Sequence, residues 1–420
     1  MNIVIAPDSF KGSLTSFEVC RIMQQSIEGV MEGVTIVSVP MADGGEGTVD
    51  AIVAAAGGRR IQVNVSGPLG NRIEAMIGVV PQGDEVVAVL ETAAMCGLTL
   101  IPSTNRNPLL TTTRGLGEAV MAALDLGYRR FVIGLGGSAT NDGGMGMLTA
   151  LGGAFYDSDG QRLEGFGRDL PRVVSVDFTG LDARLADCHI TIASDVTNPL
   201  LGPHGALHVF GPQKGATPEQ VTQLDNSLRS YAQLVESSLR LRGCGEQDAP
   251  SVSNAPGGGA AGGLGFALIM LGGRLCSGAM VIGQLAGLPA KIAAADWVLT
   301  GEGQSDGQTL QGKLPIYVSQ QAAAAGKPVV LISGSLGPGN EALHEHFTGC
   351  FATVQAPASL EVCMRDATRN LSRVTRSVMR LIRHAKPILS VNSHASNEFP
   401  ANEPLDATAT AVTNDLFKGG

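Results

Sequence analysis

The sequence predicts an α/β protein whose doubly wound parallel sheet draws strands from both ends of the chain, with a second α/β domain inserted between them. Three observations carry this. Short apolar runs alternate with helical patterns at the N-terminus and again after residue 287, the rhythm of parallel crossovers. Between these stretches the rhythm changes to strands joined by Gly-Pro and Pro-Gln-Gly-Asp turns, which suit hairpins. Many of the apolar runs end in a loop of glycine, carboxylate and hydroxyl or amide side chains, the composition expected where strand ends face a ligand.

Taken in order, the spacing predicts strand 3–6, helix 16–31, strand 35–39 and helix 47–56. Strand-like runs follow at 60–65, 72–80 and 85–90, then helix 113–126, strand 131–134, a helix through 145–151, strand 189–193 and helix 218–241. After a glycine-rich segment at 257–287, strand 297–300, helix 315–325, strand 328–333, helix 340–346 and strand 350–354 return to alternation. The first end offers two strands and the last three, so neither is a comfortable domain alone. Joined, they make one five-stranded sheet. The boundaries expected are 1–58 plus 287–386 for this discontinuous domain, 59–286 for the insert, and 387–420 for a poorly ordered Ser-, Asn-, Ala- and Thr-rich tail. The ligand cleft is expected between the domains.

At 420 residues and 44% hydrophobic, the chain has the length and apolar mass for more than one core. Its net charge of -9, with basic residues scattered until the last helix at 359–384, argues against a nucleic-acid surface. The arginines of that helix occupy the face opposite its apolar stripe and read as a solvated face. The 7 cysteines include no CxxC pair or zinc spacing, which favours a reducing cytoplasm. A strand begins at Asn2 without a leader-like run, and the charge-poor stretch 249–273 reads as a buried helix rather than a membrane span.

The loops supply the candidate chemistry. Asp8, Ser9 and Lys11 follow the first strand; a cation at a helix entrance is unfavourable unless an anion binds there. Asp43 and Glu46 flank Gly44 and Gly45, and Glu302 and Asp306 precede Lys313; such acids beside glycine backbones fit Mg²⁺ held through water and phosphate. Gly136, Gly137, Ser138, Thr140 and Asn141 line an anion pocket after strand 131–134, and Asp195 with Asn198 ends strand 189–193. Two familiar patterns fail. Gly134-x-Gly136-x-x-Ala139 formally matches a dinucleotide fingerprint, yet glycines follow where a helix should run, and the ribose acid would have to be Asp157 or Asp159 in a turn. Gly307-x-x-x-x-Gly312-Lys313 approaches a Walker loop, but Leu314 stands where Ser or Thr must bind Mg²⁺, and Pro315 follows.

Together, Ile-Ala-Pro-Asp-Ser-Phe-Lys-Gly-Ser, Pro-Met-Ala-Asp-Gly-Gly-Glu-Gly-Thr, Gly-Gly-Ser-Ala-Thr-Asn-Asp-Gly-Gly, Asp195-Val-Thr-Asn-Pro-Leu, Phe210-Gly-Pro-Gln-Lys-Gly-Ala and Gly301-Glu-Gly closely resemble the type-1 family of bacterial glycerate kinases, from Met1 to about His384. The resemblance implies a flavodoxin-like domain interrupted by an insert of restriction-endonuclease-like topology. It also implies ATP-dependent phosphorylation of D-glycerate, usually at the 2-hydroxyl, with Mg²⁺. Family members often carry arginine where this chain has Gln304, and the tail after Lys386 is additional. Asp195 is then expected to orient or deprotonate the glycerate hydroxyl, with Asp8 next in line, while Lys11, Lys313 and Lys214 neutralise phosphoryl charge. Two rival readings remain open: a nicotinamide-dependent oxidoreductase acting on glycerate or hydroxypyruvate, and a non-catalytic metabolite-binding regulator.

Overall fold

The computed structural model describes residues 1–241, 251–354 and 356–391. The chain opens with β1 (Asn2–Ile5), α1 (Ser16–Glu28), β2 (Thr35–Ser38) and α2 (Thr48–Ala56). Helix α1 starts where it does because the Thr15 hydroxyl accepts the Glu18 N–H while the Glu18 carboxylate accepts the Thr15 N–H, a reciprocal cap worth about 1 kcal/mol. Its spacing then buries Val19, Ile22, Met23 and Ile27.

Strands β3 (Arg59–Ser66), β4 (Arg72–Gln82) and β5 (Glu85–Glu91) pair antiparallel, as the turn signals predict. There follow α3 (Thr92–Cys96), α4 (Arg114–Asp125), β6 (Arg130–Gly134), α5 (Met145–Ala150), β7 (Ala154–Tyr156), β8 (Ser175–Asp177), β9 (His189–Ala193), α6 (Ala206–Phe210) and α7 (Pro218–Leu241). Beyond residue 250 come α8 (Leu264–Met270), β10 (Arg274–Cys276), α9 (Gly278–Leu285), α10 (Leu288–Ala293), β11 (Trp297–Thr300), β12 (Gln304–Ser305), α11 (Leu314–Ala324), β13 (Val329–Ser333), β14 (Ser335–Leu336), β15 (Gly349–Ala352), α12 (Leu360–Arg365) and α13 (Ala367–Val391).

Two sheets organise these elements. One is five-stranded and all parallel, in the order β15-β13-β11-β1-β2, so it joins the two ends of the chain. The other is six-stranded and mixed, in the order β10-β9-β6-β5-β4-β3, with β5, β6, β9 and β10 parallel. One face of the second sheet packs on α4, α5, α7 and α8 through residues such as Ile133, Phe155, Tyr231 and Phe266. Its other face, through Val87, Val89 and Val132, shares a core with Ile52 of α2, Ile282 of α9 and the strands of the first sheet. A helical layer common to both sheets thus sets the carboxyl ends of their parallel strands near one another.

Local departures from expectation have local causes. Within the described part of the 249–273 stretch, 251–273, an α-helix forms only from Leu264, after 3-10 turns at Val252–Asn254 and Ala260–Gly262, because Gly257, Ala261, Gly262 and Gly263 adopt left-handed backbone, which an α-helix excludes. Residues Asn340–Glu345 form a 3-10 helix, not an α-helix, and the Asn340 amide ties back to the Gly337 carbonyl. The helix expected over 359–384 breaks at Asp366, whose carboxylate accepts from Arg365 and Arg369 on either side. Met1–Met379 form one compact unit; the chain from Arg380 is a second, of which 380–391 is described and helical, while the remainder of the predicted tail, 392–420, lies outside the described residues. No helix among the described residues is long and apolar enough to cross a membrane.

Candidate active site

Three loops of the five-stranded sheet are zipped together at their roots. The Asp8 N–H donates to the Gly301 carbonyl at 2.8 Å, the Met41 N–H to the Pro7 carbonyl at 3.1 Å, and the Thr300 hydroxyl to the Ala6 carbonyl at 2.8 Å. This brings Asp8, Asp43 and Glu302 to face one another. Burial, then the charge of Asp43, and more weakly that of Glu302, push the Asp8 carboxyl up to about 8. Glu302 is buried at 8% exposure and accepts hydrogen bonds from Ser305 and Thr309 at 2.8 and 2.7 Å. Its carboxyl is raised by burial, against the pull of those hydroxyls and of Lys313. Lys313, at the residue before α11, also lies close enough to Asp306 to lower its carboxyl, behind the effect of the Gln308 N–H and Gln304 amide. The backbone of Lys11 closes on Gly303, where a Cβ would stand 3.2 Å from the Lys11 nitrogen.

The loops of the second sheet meet this group edge-on. Glu91, Gly134 and Ala193 are in register at the carboxyl ends of β5, β6 and β9. The Gly136 N–H donates to the Gly44 carbonyl at 3.0 Å. Gly44 has φ 96°, and a Cβ there would lie 2.5 Å from the Ala193 carbonyl oxygen, so only glycine fits. Asp195 leaves β9 beside this contact. Its carboxylate accepts the Gly278 N–H at 3.1 Å and a hydrogen bond from Ser277, at the N-terminus of α9. Surrounding protein raises its carboxyl, with a further push from Asp43, although the side chain keeps an exposed surface.

Behind the 136–144 loop lies a buried polar layer. Lys214, 3% exposed, donates to the Ser138 hydroxyl at 3.0 Å and the Thr140 carbonyl at 2.7 Å. Burial lowers its ammonium to about 7 despite the nearby Asp142. Asp142 accepts from the Thr113 N–H and hydroxyl and from the Gly144 and Gly146 N–H groups. By contrast the Thr140 hydroxyl and both ends of the Asn141 amide are buried without a protein partner.

The predicted residues therefore fall into two neighbouring groups. Asp8, Asp43, Glu302, Asp306, Lys313 and Lys11 ring the first-sheet loops, joined by Asp195 across Gly44, Gly45 and Gly136. Ser138, Thr140, Asn141 and Lys214 form the second group, with Gly137 at its exposed turn. Ser9 is half-buried beside Asp8, its N–H on the Asp8 carboxylate at 2.6 Å. Glu46 and Asn198 stand outside both groups: Glu46 is exposed and its charge acts on Glu91, and the Asn198 amide donates to the His204 carbonyl. Gln304, in the family's arginine position, is bound to Asp306 at 3.0 Å. Sequence reasoning missed Ser277 and Gly278, which hold Asp195, and Glu91, which caps α2 by accepting the Val49 N–H at 2.9 Å. Only the fold brings these partners in, from 42 and 83 positions away.

The geometry disposes of the dinucleotide fingerprint. After β6 the chain runs through the whole 135–144 loop before α5 begins at Met145, and the Asp157 carboxylate is spent on the Asp159 and Gln161 N–H groups of its own turn. What remains is an α/β phosphotransferase, with acids and lysines at the meeting of two sets of strand-end loops. The chain belongs to the glycerate kinase family, whose model matches residues 3–383. It is 42% identical to glycerate 2-kinase of Escherichia coli K12, over 90% of this chain and 97% of that protein. It is 41% identical to glycerate kinase of Bacillus subtilis 168, over 93% of this chain and 100% of that protein. The crystal structure of a protein described as glycerate kinase 2 from Salmonella typhimurium LT2 superposes with a TM-score of 0.78 at 42% identity, over 92% of this chain and 99% of that one.

Proposed function

We propose that the chain catalyses transfer of the γ-phosphoryl group of ATP to the 2-hydroxyl of D-glycerate, with Mg²⁺, giving 2-phosphoglycerate and ADP. The observation that carries the reading is the meeting of Asp8, Asp43 and Glu302 from three loops whose roots are hydrogen-bonded together; burial first, and then the charges of Asp43 and Glu302, raise the Asp8 carboxyl to about 8. Acids that repel one another in this way fit a divalent cation. Among the described residues no group of three or more His, Cys, Asp or Glu forms a cage for a metal ion. Mg²⁺ is commonly held by one or two carboxylates, with water and substrate phosphates completing its shell. When bound, Mg²⁺ neutralises phosphate charge; Asp8, Asp43 and Glu302 are its candidate holders, with Asp306 and Glu46 at the margin.

In this reading Asp195 orients the glycerate hydroxyl and accepts its proton as the oxygen bonds to phosphorus and the bond to the ADP oxygen breaks. Ser277 and Gly278 fix that carboxylate so that little is lost in orienting it at the moment of transfer. Lys313 and Lys11 lie beside the acids and stabilise charge on the transferring group. The parallel 2-1-3-4-5 strand order of the first sheet supports a flavodoxin-like description, and we assign residues 1–58 plus 287–386 to it and 59–286 to the inserted α/β domain, for which restriction-endonuclease-like topology is the matching proposal. Closure of the two would exclude water, the competing acceptor. A soluble cytoplasmic enzyme with a small-molecule substrate is the setting proposed.

The test is turnover of Asp195→Asn. Transfer should fall by roughly three orders of magnitude or more, since a positioned base contributes about 10²–10⁴-fold, with nucleotide binding retained. Near-normal turnover would move the role to Asp8.

A further inference from the structure

We infer that Lys214 is a positioning residue for glycerate recognition: held behind the 136–144 loop, it fixes the Thr140 hydroxyl and Asn141 amide for the substrate rather than touching the phosphoryl group. This rests on the kinase reading above and refines the phosphate role expected from sequence. The ammonium is buried at 3% exposure and committed to Ser138 Oγ and the Thr140 carbonyl oxygen. Two of its three donors are thus spent on the 136–144 loop.

The loop is tied down on every other side. The Ala139 N–H donates to the Cys96 carbonyl at 2.7 Å, the Gly143 N–H to the Gly262 carbonyl at 3.1 Å, and Asp142 takes donors from Thr113, Gly144 and Gly146. Within this frame the Thr140 hydroxyl and both ends of the Asn141 amide lack a protein partner, at 0% exposure for both residues; among the described residues the one other such buried side-chain atom is Arg106 Nε, whose guanidinium donates to the Gln213 carbonyl beside Lys214. Buried polar groups are nearly always satisfied, and unsatisfied ones at adjacent positions ask for a ligand. Glycerate carries a carboxylate and two hydroxyls, which can both accept from and donate to a hydroxyl and an amide. Glycerate would reach them from the side of Gly137, the exposed residue of the loop.

Steady-state kinetics of Lys214→Met, Thr140→Val and the double variant test this. Each single change should raise the KM for D-glycerate about tenfold or more, the cost of a lost buried hydrogen bond, while the KM for ATP stays within about twofold. The double variant should be little worse than either single, because both act on one contact. A fall in kcat for Lys214→Met with an unchanged glycerate KM would assign Lys214 to the phosphoryl group and overturn the inference. So would equal losses for both substrates, or additive effects. If Lys214→Met does not fold, Thr140→Val decides by itself: an unchanged glycerate KM there overturns the inference. Absence of glycerate turnover in the unaltered enzyme would instead refute the kinase reading.

Discussion

At the scale of single residues, the chemistry divides between groups whose identity announced them and groups known only by their neighbours. Asp8, Asp43, Asp195 and Glu302 stood out because each is an acid in the loop that follows an apolar strand, where ligands of open α/β sheets sit. The environment then gave them different characters. Asp8 is driven up by burial and by Asp43 and Glu302, whereas Asp195 rests on Ser277 and the N-terminus of α9. Lys214 was legible as a lysine near glycines, but its burial was not, because the carbonyl and hydroxyl that hold it lie 74 and 76 positions away. Its stability signature follows from linkage. Burial lowers the folded ammonium to about 7 from 10.5, so across that window the unfolded chain binds the extra proton. Stability gains from raising pH between about 7 and 10.5 and is insensitive to this group below. Denaturant unfolding of the unaltered protein, compared with Lys214→Met, should show its stability relative to the variant rising as pH goes from 7 toward 10. Parallel curves would contradict the burial of the charge.

At the scale of elements, the strand and helix periods were the most readable part of the chain. Helix 218–241, strand 189–193 and strand 297–300 fall where the spacing puts them. The misses are segments whose conformation is set by backbone rather than pattern: the left-handed turns at Gly257 to Gly263, the 3-10 helix at Asn340–Glu345 and the break at Asp366. The cap of α2 could not be read locally at all. Gly47 has no side chain to cap with, and Glu91 from β5 accepts the Val49 N–H instead. Replacing Glu91 by Ala should destabilise the fold by about 1–2 kcal/mol, the range for a lost cap, with the loss measured by urea unfolding. An unchanged midpoint would mean that water serves those N–H groups as well as Glu91 does. Since α2 follows the Asp43 loop directly, a fall in kcat should accompany the lost stability.

At the scale of the whole molecule, joining the chain's two ends into one sheet was inferable, because two strands at one end and three at the other cannot each close a domain. The interlock of the two sets of loops was not. It depends on glycine backbones in contact, the Gly136 N–H on the Gly44 carbonyl and Gly44 against Ala193, and such contacts leave no side-chain pattern. The interlock is nonetheless what brings Asp195 of one set to Asp43 of the other. Phosphoryl transfer itself is read by following the protein with D-glycerate, ATP and Mg²⁺ by phosphorus NMR. ADP and a phosphomonoester on the 2-carbon are expected, with transfer abolished by EDTA and restored by excess Mg²⁺. A 3-phosphate product would correct the hydroxyl chosen, transfer undiminished in EDTA would remove the metal from the acid cluster, and no phosphoryl transfer to glycerate at all would contradict the account.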